Sequence, residues 1–146
     1  MGLFDAIDTS SSGLTAERLR MDVIANNIAN VNTTRTPEGG PYRRQQVIFE
    51  PRESPRFSIP FVGRDRKLEP GKGVRVVAIQ EDESPPRLEY RPGHPDADEN
   101  GYVRLPNVNI VVEMTDMITA TRAYEANVQV ITSAKDMMMR ALRIGH

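Results

Sequence analysis

The sequence predicts an α+β fold: long N- and C-terminal helices paired as an antiparallel coiled coil, with a small β-rich, Pro/Gly-rich insertion between them. Three observations predict it. All 11 prolines of the 146-residue chain lie between Pro37 and Pro106, so residues 1–36 and 107–146 lack the residue that breaks helix interiors. Each proline-free end carries apolar residues at alternating steps of three and four, the period of a helix packed on another helix. The middle holds β-branched runs separated by proline and glycine. The division that follows is a helical domain of residues 1–32 plus 107–146 and a β-rich domain of residues 33–106.

In the N-terminal element the seam is Leu3, Ile7, Leu14, Met21, Ile24, Ile28 and Val31, with Ser10 and Glu17 at the two skipped positions. Asp5 and Asp8 suit the positive end of a helix. Ser10-Ser11-Ser12-Gly13 is a weak helical stretch, so the helix is expected over about residues 9–31, with room to reach back toward Leu3. Asn26, Asn27, Asn30 and Asn32 crowd the end of this pattern. Asparagine terminates helices, and on adjacent turns it also hydrogen-bonds across helices and fixes register; both readings stand.

The insertion follows. Gln46–Phe49 and Val74–Ile79 read as strands, and Arg87–Arg91 alternates polar and apolar residues like a half-exposed strand. Pro51, Pro55, Pro60, Pro70, Pro85 and Pro86, with Gly63, Gly71 and Gly73, predict stiff loops between them.

The C-terminal element gives the longer seam: Ile110, Met114, Met117, Thr121, Tyr124, Val128, Ile131, Lys135, Met138 and Leu142. Asn107 and Asn109 are candidate caps, Arg140 and Arg143 suit the last turn, and Gly145 suits the stop. Two helices alone cannot shield both seams and their alanine-rich flanks, which points to an oligomer or polymer.

Composition narrows the function classes. Hydrophobic residues are 38%, aromatics 5% and tryptophan is absent, so part of the burial is expected from other chains. The net charge of −1, with a charge-dense but balanced middle, argues against a nucleic-acid face. The absence of cysteine excludes disulfides, thiolate metal sites and cysteine nucleophiles. The start lacks the basic and apolar regions of a cleavable signal peptide, and the longest aliphatic run, Ile110-Val111-Val112, is too short to span a bilayer.

Chemistry-bearing motifs are sparse. Asp96, Asp98, Asn100 and Gly101 match the first half of an EF-hand calcium loop, but position twelve is Asn107 instead of glutamate, and Pro92 and Pro95 forbid the preceding helix. The stretch reads as a polar turn with Asx-type hydrogen bonds. The functional alternative is a calcium- or metal-binding module, or a hydrolase, centred on His94, Asp96 and Asp98. The other histidine is the terminal His146, so imidazole-rich sites are excluded. Phosphate-binding glycine loops, nucleophile elbows and zinc-protease motifs do not occur. Arginines 43, 44, 52, 56, 64, 66 and 75 interleave with Glu50, Glu53, Asp65 and Glu69, as on an ion-paired surface. No cofactor, catalytic residue or metal ligand is expected, and no nucleic acid or small-molecule substrate.

Two segments carry a resemblance. Ala25-Asn26-Asn27-Ile28-Ala29-Asn30-Val31-Asn32-Thr33 resembles the N-terminal signature of the axial proteins of the bacterial flagellum. Met117-Ile118-Thr119-Ala120-Thr121-Arg122-Ala123-Tyr124-Glu125-Ala126-Asn127 resembles the matching C-terminal signature. Their pairing at opposite ends is more specific than either alone. Pro41–Glu50, Pro92–Asp98 and Tyr102–Asn109 are similar to the proximal rod members of the family.

The resemblance implies a non-enzymatic structural subunit of the flagellar basal-body rod. Such a subunit leaves through the flagellar type III export apparatus without signal cleavage. It polymerises with other rod proteins and copies of itself into the hollow shaft that crosses the periplasm and transmits torque. The terminal helices would form the inner, axial domain and the insertion an outer domain. On this reading Leu14, Met21, Ile24, Ile28, Tyr124, Val128, Ile131, Met138 and Leu142 drive association, while Asn26, Asn27 and Asn30 set register or end the helix. A coiled-coil adaptor unrelated to motility is a further alternative.

Overall fold

The computed structural model describes residues 2–52 and 72–144. The loop features expected at Pro55, Pro60, Gly63, Pro70 and Gly71 and the stop at Gly145 lie outside them. The elements are α1 (Leu3–Ala29), β1 (Gln45–Pro51), β2 (Val74–Glu81), β3 (Arg87–Tyr90), β4 (Tyr102–Leu105) and α2 (Ile110–Ile144).

Helix α1 starts at Leu3, earlier than the serine-rich stretch suggested. The Asp5 carboxylate reaches back to the Gly2 N–H at 2.8 Å and satisfies one of the free donors of the first turn. The serines are bound, not loose: Ser10 and Ser12 are buried, and the Ser12 hydroxyl donates to the Thr9 carbonyl at 2.7 Å. The helix closes at Asn30, whose side-chain amide donates to the Asn26 carbonyl at 3.0 Å and competes for the acceptor of the last turn.

Helix α2 runs for 35 residues, roughly 50 Å. Asn109 caps it, its Oδ1 accepting the Val111 N–H at 3.0 Å. Asn107, the other candidate cap, is used elsewhere: its Oδ1 accepts the Arg44 N–H at 2.9 Å.

The insertion is two separate two-stranded antiparallel sheets. β1 pairs with β2 from Gln45↔Glu81 to Pro51↔Val74, with a register shift between Ile48 and Phe49. β3 pairs with β4 from Arg87↔Leu105 to Tyr90↔Tyr102. Hydropathy patterning marks no strand at β4. Its four residues alternate faithfully, Val103 and Leu105 buried and Tyr102 and Arg104 exposed, but the run is too short to stand out beside Pro106.

Among these elements, α1 touches α2, β1 and β2, whereas α2 touches α1 alone. Helix α1 is therefore the middle layer, and it needs two buried rows. One is the seam read from the sequence, with Ser10, Ile24 and Val31 buried and Leu14, Glu17, Met21 and Ile28 half-buried. The other runs through Ser12, Ala16, Val23 and Asn27. Two of those four are polar and one is alanine, so hydropathy alone did not mark the row.

Candidate assembly surface and polar junction

The chain leaves α1, enters β1 and returns into α2 around one buried polar cluster. Asn27, near the end of α1, is 1% exposed. Its Oδ1 accepts the Gln45 N–H at 2.9 Å and the Tyr42 hydroxyl at 2.9 Å. Its Nδ2 donates to the Gln45 carbonyl at 2.8 Å and to Glu113 Oε2 at 3.0 Å. All four bonding positions of the carboxamide are filled. By taking both backbone groups of Gln45, Asn27 stands for one residue in the place of a third strand beside β1.

Glu113, in the first turn of α2, is equally buried at 1%. Its other oxygen accepts Nε of Arg44, whose Nη2 reaches Asp116 at 3.4 Å; Arg20 of α1 meets the same Asp116 at 3.6 Å. A buried carboxylate is tolerable only with such partners. Burial raises the Tyr42 phenol above its ordinary 10.0, and the nearby Glu113 and Glu81 carboxylates push the same way. Tyr42 therefore remains a donor to Asn27 throughout the neutral range.

The buried stripe of α2 departs from the sequence reading on one of its two edges. Met117, Tyr124, Ile131 and Met138 are half-buried. At the alternate steps, however, Ile110, Met114, Val128 and Leu142 are 45, 55, 41 and 66% exposed, and Lys135 is exposed. The positions one residue earlier take their place: Glu113, Ala120 and Ala134 are buried and Asn127 is half-buried. The reason is close approach. A Cβ on Gly13 of α1 would lie 2.9 Å from Asn127 Nδ2, and Ala120 is 0% exposed. Only small side chains, or polar ones with a partner, fit between helices that near.

The large apolar residues are displaced to the flanks. At 100° per residue, Ile110, Met114, Ile118, Val128 and Met139 fall to one side of the buried stripe, and Val112, Val130 and Met137 to the other. Exposed apolar residues thus border the buried stripe on both sides, interspersed with the charged Glu125, Lys135, Asp136 and Arg143. These flanks are a candidate assembly surface.

Of the residues singled out from sequence, Ile24 and Asn27 are buried; Leu14, Met21, Ile28, Asn30, Tyr124, Ile131 and Met138 are half-buried; Asn26, Val128 and Leu142 are exposed. Met21 Sδ lies 3.5 Å from the Thr121 hydroxyl, and Asn26 Nδ2 lies 3.3 Å from the Tyr42 hydroxyl. Sequence reasoning missed Glu113, Arg44 and Tyr42. The available signal was the position of Glu113, four residues before Met117 and seven before Ala120, on the edge of an otherwise apolar stripe.

The His94 loop is a turn. Asp98 Oδ1 accepts the Asn100 and Tyr102 N–H groups at 2.9 and 2.8 Å, and Asp96 Oδ2 accepts the Thr34 hydroxyl at 2.8 Å. Among the described residues, no group of three or more His, Asp or Glu side chains converges to hold a metal. Among the described residues, too, no helix is long and apolar enough to cross a membrane.

Comparison with known proteins matches both ends. Residues 7–35 fit the family described as "Flagella basal body rod protein", and residues 99–144 fit "Flagellar basal body rod FlgEFG protein C-terminal". The class is thus that of flagellar basal-body rod proteins. Similar proteins named "Flagellar basal-body rod protein FlgC" occur in Borreliella burgdorferi (57% identical, 99% of this chain and 98% of the relative), Bacillus subtilis (42%, 99% of each) and Salmonella typhimurium (37%, 99% of each). The chain belongs to the FlgC family of flagellar basal-body rod proteins.

Proposed function

We propose that the chain is a structural subunit of the proximal rod of the flagellar basal body, with no enzymatic role. The observation that carries this reading is likeness over the whole length, not over one motif, to rod proteins of three distant bacteria. The exposed apolar flanks of α2 support it, because a subunit that completes its core with neighbours needs such flanks and an enzyme does not.

Residues 1–32 and 107–146 form the inner domain as an antiparallel coiled coil. In support, Gly13, Met21 and Asn27 of α1 meet Asn127, Thr121 and Glu113 of α2, rising numbers against falling ones. Residues 33–106 form the outer domain. Leu14, Met21, Ile24, Ile28, Tyr124, Ile131 and Met138 hold the helix pair, and the more exposed Val128 and Leu142 face neighbouring subunits. Asn30 ends α1 while Asn26 and Asn27 fix its register. The partners are other rod proteins, copies of the same chain and, before assembly, the flagellar type III export apparatus. The site of action is the rod where it crosses the periplasm.

The test is complementation of a gene deletion with the wild-type chain and with Val128→Asp. Wild type should restore flagella and swimming; the variant should be exported yet leave cells without completed rods. Normal flagella in the deletion strain would overturn the rod assignment, and normal swimming with the variant would overturn the surface.

A further inference from the structure

The β1–β2 sheet is anchored to α1 at two places of unlike construction. At the far end of the sheet the Ser12 hydroxyl of α1 accepts the Val74 N–H at 3.0 Å while donating to the Thr9 carbonyl. That anchor is completed within α1. At the near end, Asn27 holds both backbone groups of Gln45, and its Nδ2 also donates to Glu113 of α2. Arg44, the residue before the strand, bonds the same carboxylate.

We propose that the near anchor is a conditional lock: β1 docks at Gln45 only when α2 is paired with α1. The Asn27 carboxamide takes Gln45 in one orientation, oxygen to N–H and nitrogen to carbonyl. Glu113 reinforces that orientation, which the Tyr42 hydroxyl also favours, since the flipped amide would set its oxygen against a carboxylate. Without α2, Asn27 Nδ2 keeps the Gln45 carbonyl but loses its second acceptor, the Arg44 guanidinium loses both Glu113 and Asp116, and water competes for Gln45. The far anchor has no such dependence. A chain with unpaired helices therefore keeps the sheet tethered at Val74 and free to swing at Gln45. Pairing fixes the orientation of the insertion on the helices.

Residue-resolved amide hydrogen exchange on the full chain tests this with two variants. Glu113→Leu removes both acceptor oxygens. Ala120→Asp prises α2 from α1 seven residues away without touching the junction. The Gln45 N–H should exchange about tenfold faster in each, the loss of roughly one hydrogen bond, while the Val74 N–H changes less than about threefold. Continued protection of Gln45 would show that α1 alone suffices to dock the strand. Equal acceleration of Val74 and Gln45 would show one anchor, not two. Should Ala120→Asp lose the β1–β2 ladder altogether, Glu113→Leu decides by the same two amides.

Discussion

Gly13 of α1 and Asn127 of α2 approach until a Cβ on the glycine would sit 2.9 Å from Asn127 Nδ2, the nitrogen that already donates to the Ala123 carbonyl at 2.9 Å. Two effects then oppose each other at Gly13. Replacing a mid-helix glycine by alanine stabilises a helix by about 1 kcal/mol. Here the new methyl must push the Asn127 carboxamide off its bond. Gly13→Ala alone should be close to neutral in thermal unfolding. With Asn127→Ala the gain of about 1 kcal/mol should appear, a rise of about 2–4 °C. An undiminished gain in the single variant would show that the contact does not constrain the helices.

On the proposed reading, Ala120 and Val128 separate packing inside the subunit from packing between subunits. Ala120 is fully buried against α1, so Ala120→Leu should cost about 1–3 kcal/mol in denaturant unfolding of the isolated chain. Val128 is 41% exposed, so Val128→Thr should move stability by less than about 0.5 kcal/mol and still impair association. The reverse ranking would refute the assignment of the buried stripe.

Tyr42 gives an alkaline signature. Its phenol is raised above 10.0 in the folded chain by burial and by Glu113 and Glu81. A raised folded value means that the folded state holds the proton longer. The stabilisation is complete below pH 10 and is lost as pH climbs through the folded value. One of the four tyrosines should ionise late in an ultraviolet titration, and Tyr42→Phe should remove that step.

Asp82 gives the acid counterpart. The Ser84 hydroxyl and N–H, the latter at 2.9 Å, hold its carboxyl below the ordinary 3.8, with a smaller contribution from Arg44. A depressed carboxylate contributes above its unfolded value and fades as pH falls through the folded one. Its NMR titration midpoint should lie below 3.8 and rise in Ser84→Ala.

Gly73 has φ +100°, and a Cβ there would overlap the Ser12 hydroxyl. Gly73→Ala should therefore destabilise by about 1–3 kcal/mol, and should still destabilise in a Ser12→Ala background, where the overlap with the hydroxyl is gone but the positive φ remains. No further loss in that background would mean that backbone conformation at Gly73 contributes nothing.

Legibility in the sequence followed side-chain size. The proline-free ends and their steps of three and four marked both helices, because large aliphatic residues report a seam directly. The same rule misled on α2, where Met114 and Val128 drew the stripe one position away from Glu113, Ala120 and Asn127. The second buried row of α1 was silent for a related reason: Ser12 and Asn27 are buried by hydrogen bonds to the backbone of the sheet, and a hydrogen-bond partner distant in sequence leaves no local trace. The asparagine cluster was conspicuous, but its division of work was not. Asn30 caps the helix, Asn27 joins three elements and Asn26 meets Tyr42, and only the positions of Tyr42, Gln45 and Glu113 in space separate these roles.

The spacing of Glu113, Ala120, Asn127 and Ala134 has one more consequence. These residues recur every seven positions, so a slide of α2 by one heptad, roughly 10 Å, would again set small side chains against α1. The small residues of this row do not by themselves single out one register. The slide would put Ala120 opposite Asn27, take away one of the two acceptors of its Nδ2, leave the Arg44 guanidinium without Glu113, and remove a carboxylate that helps orient the amide. A repeating ladder has many nearly equivalent rungs, and one buried carboxamide–carboxylate pair makes a single rung the stopping point. The length over which the two helices overlap is thus set by a hydrogen bond at one end and inherited by every contact along the rest.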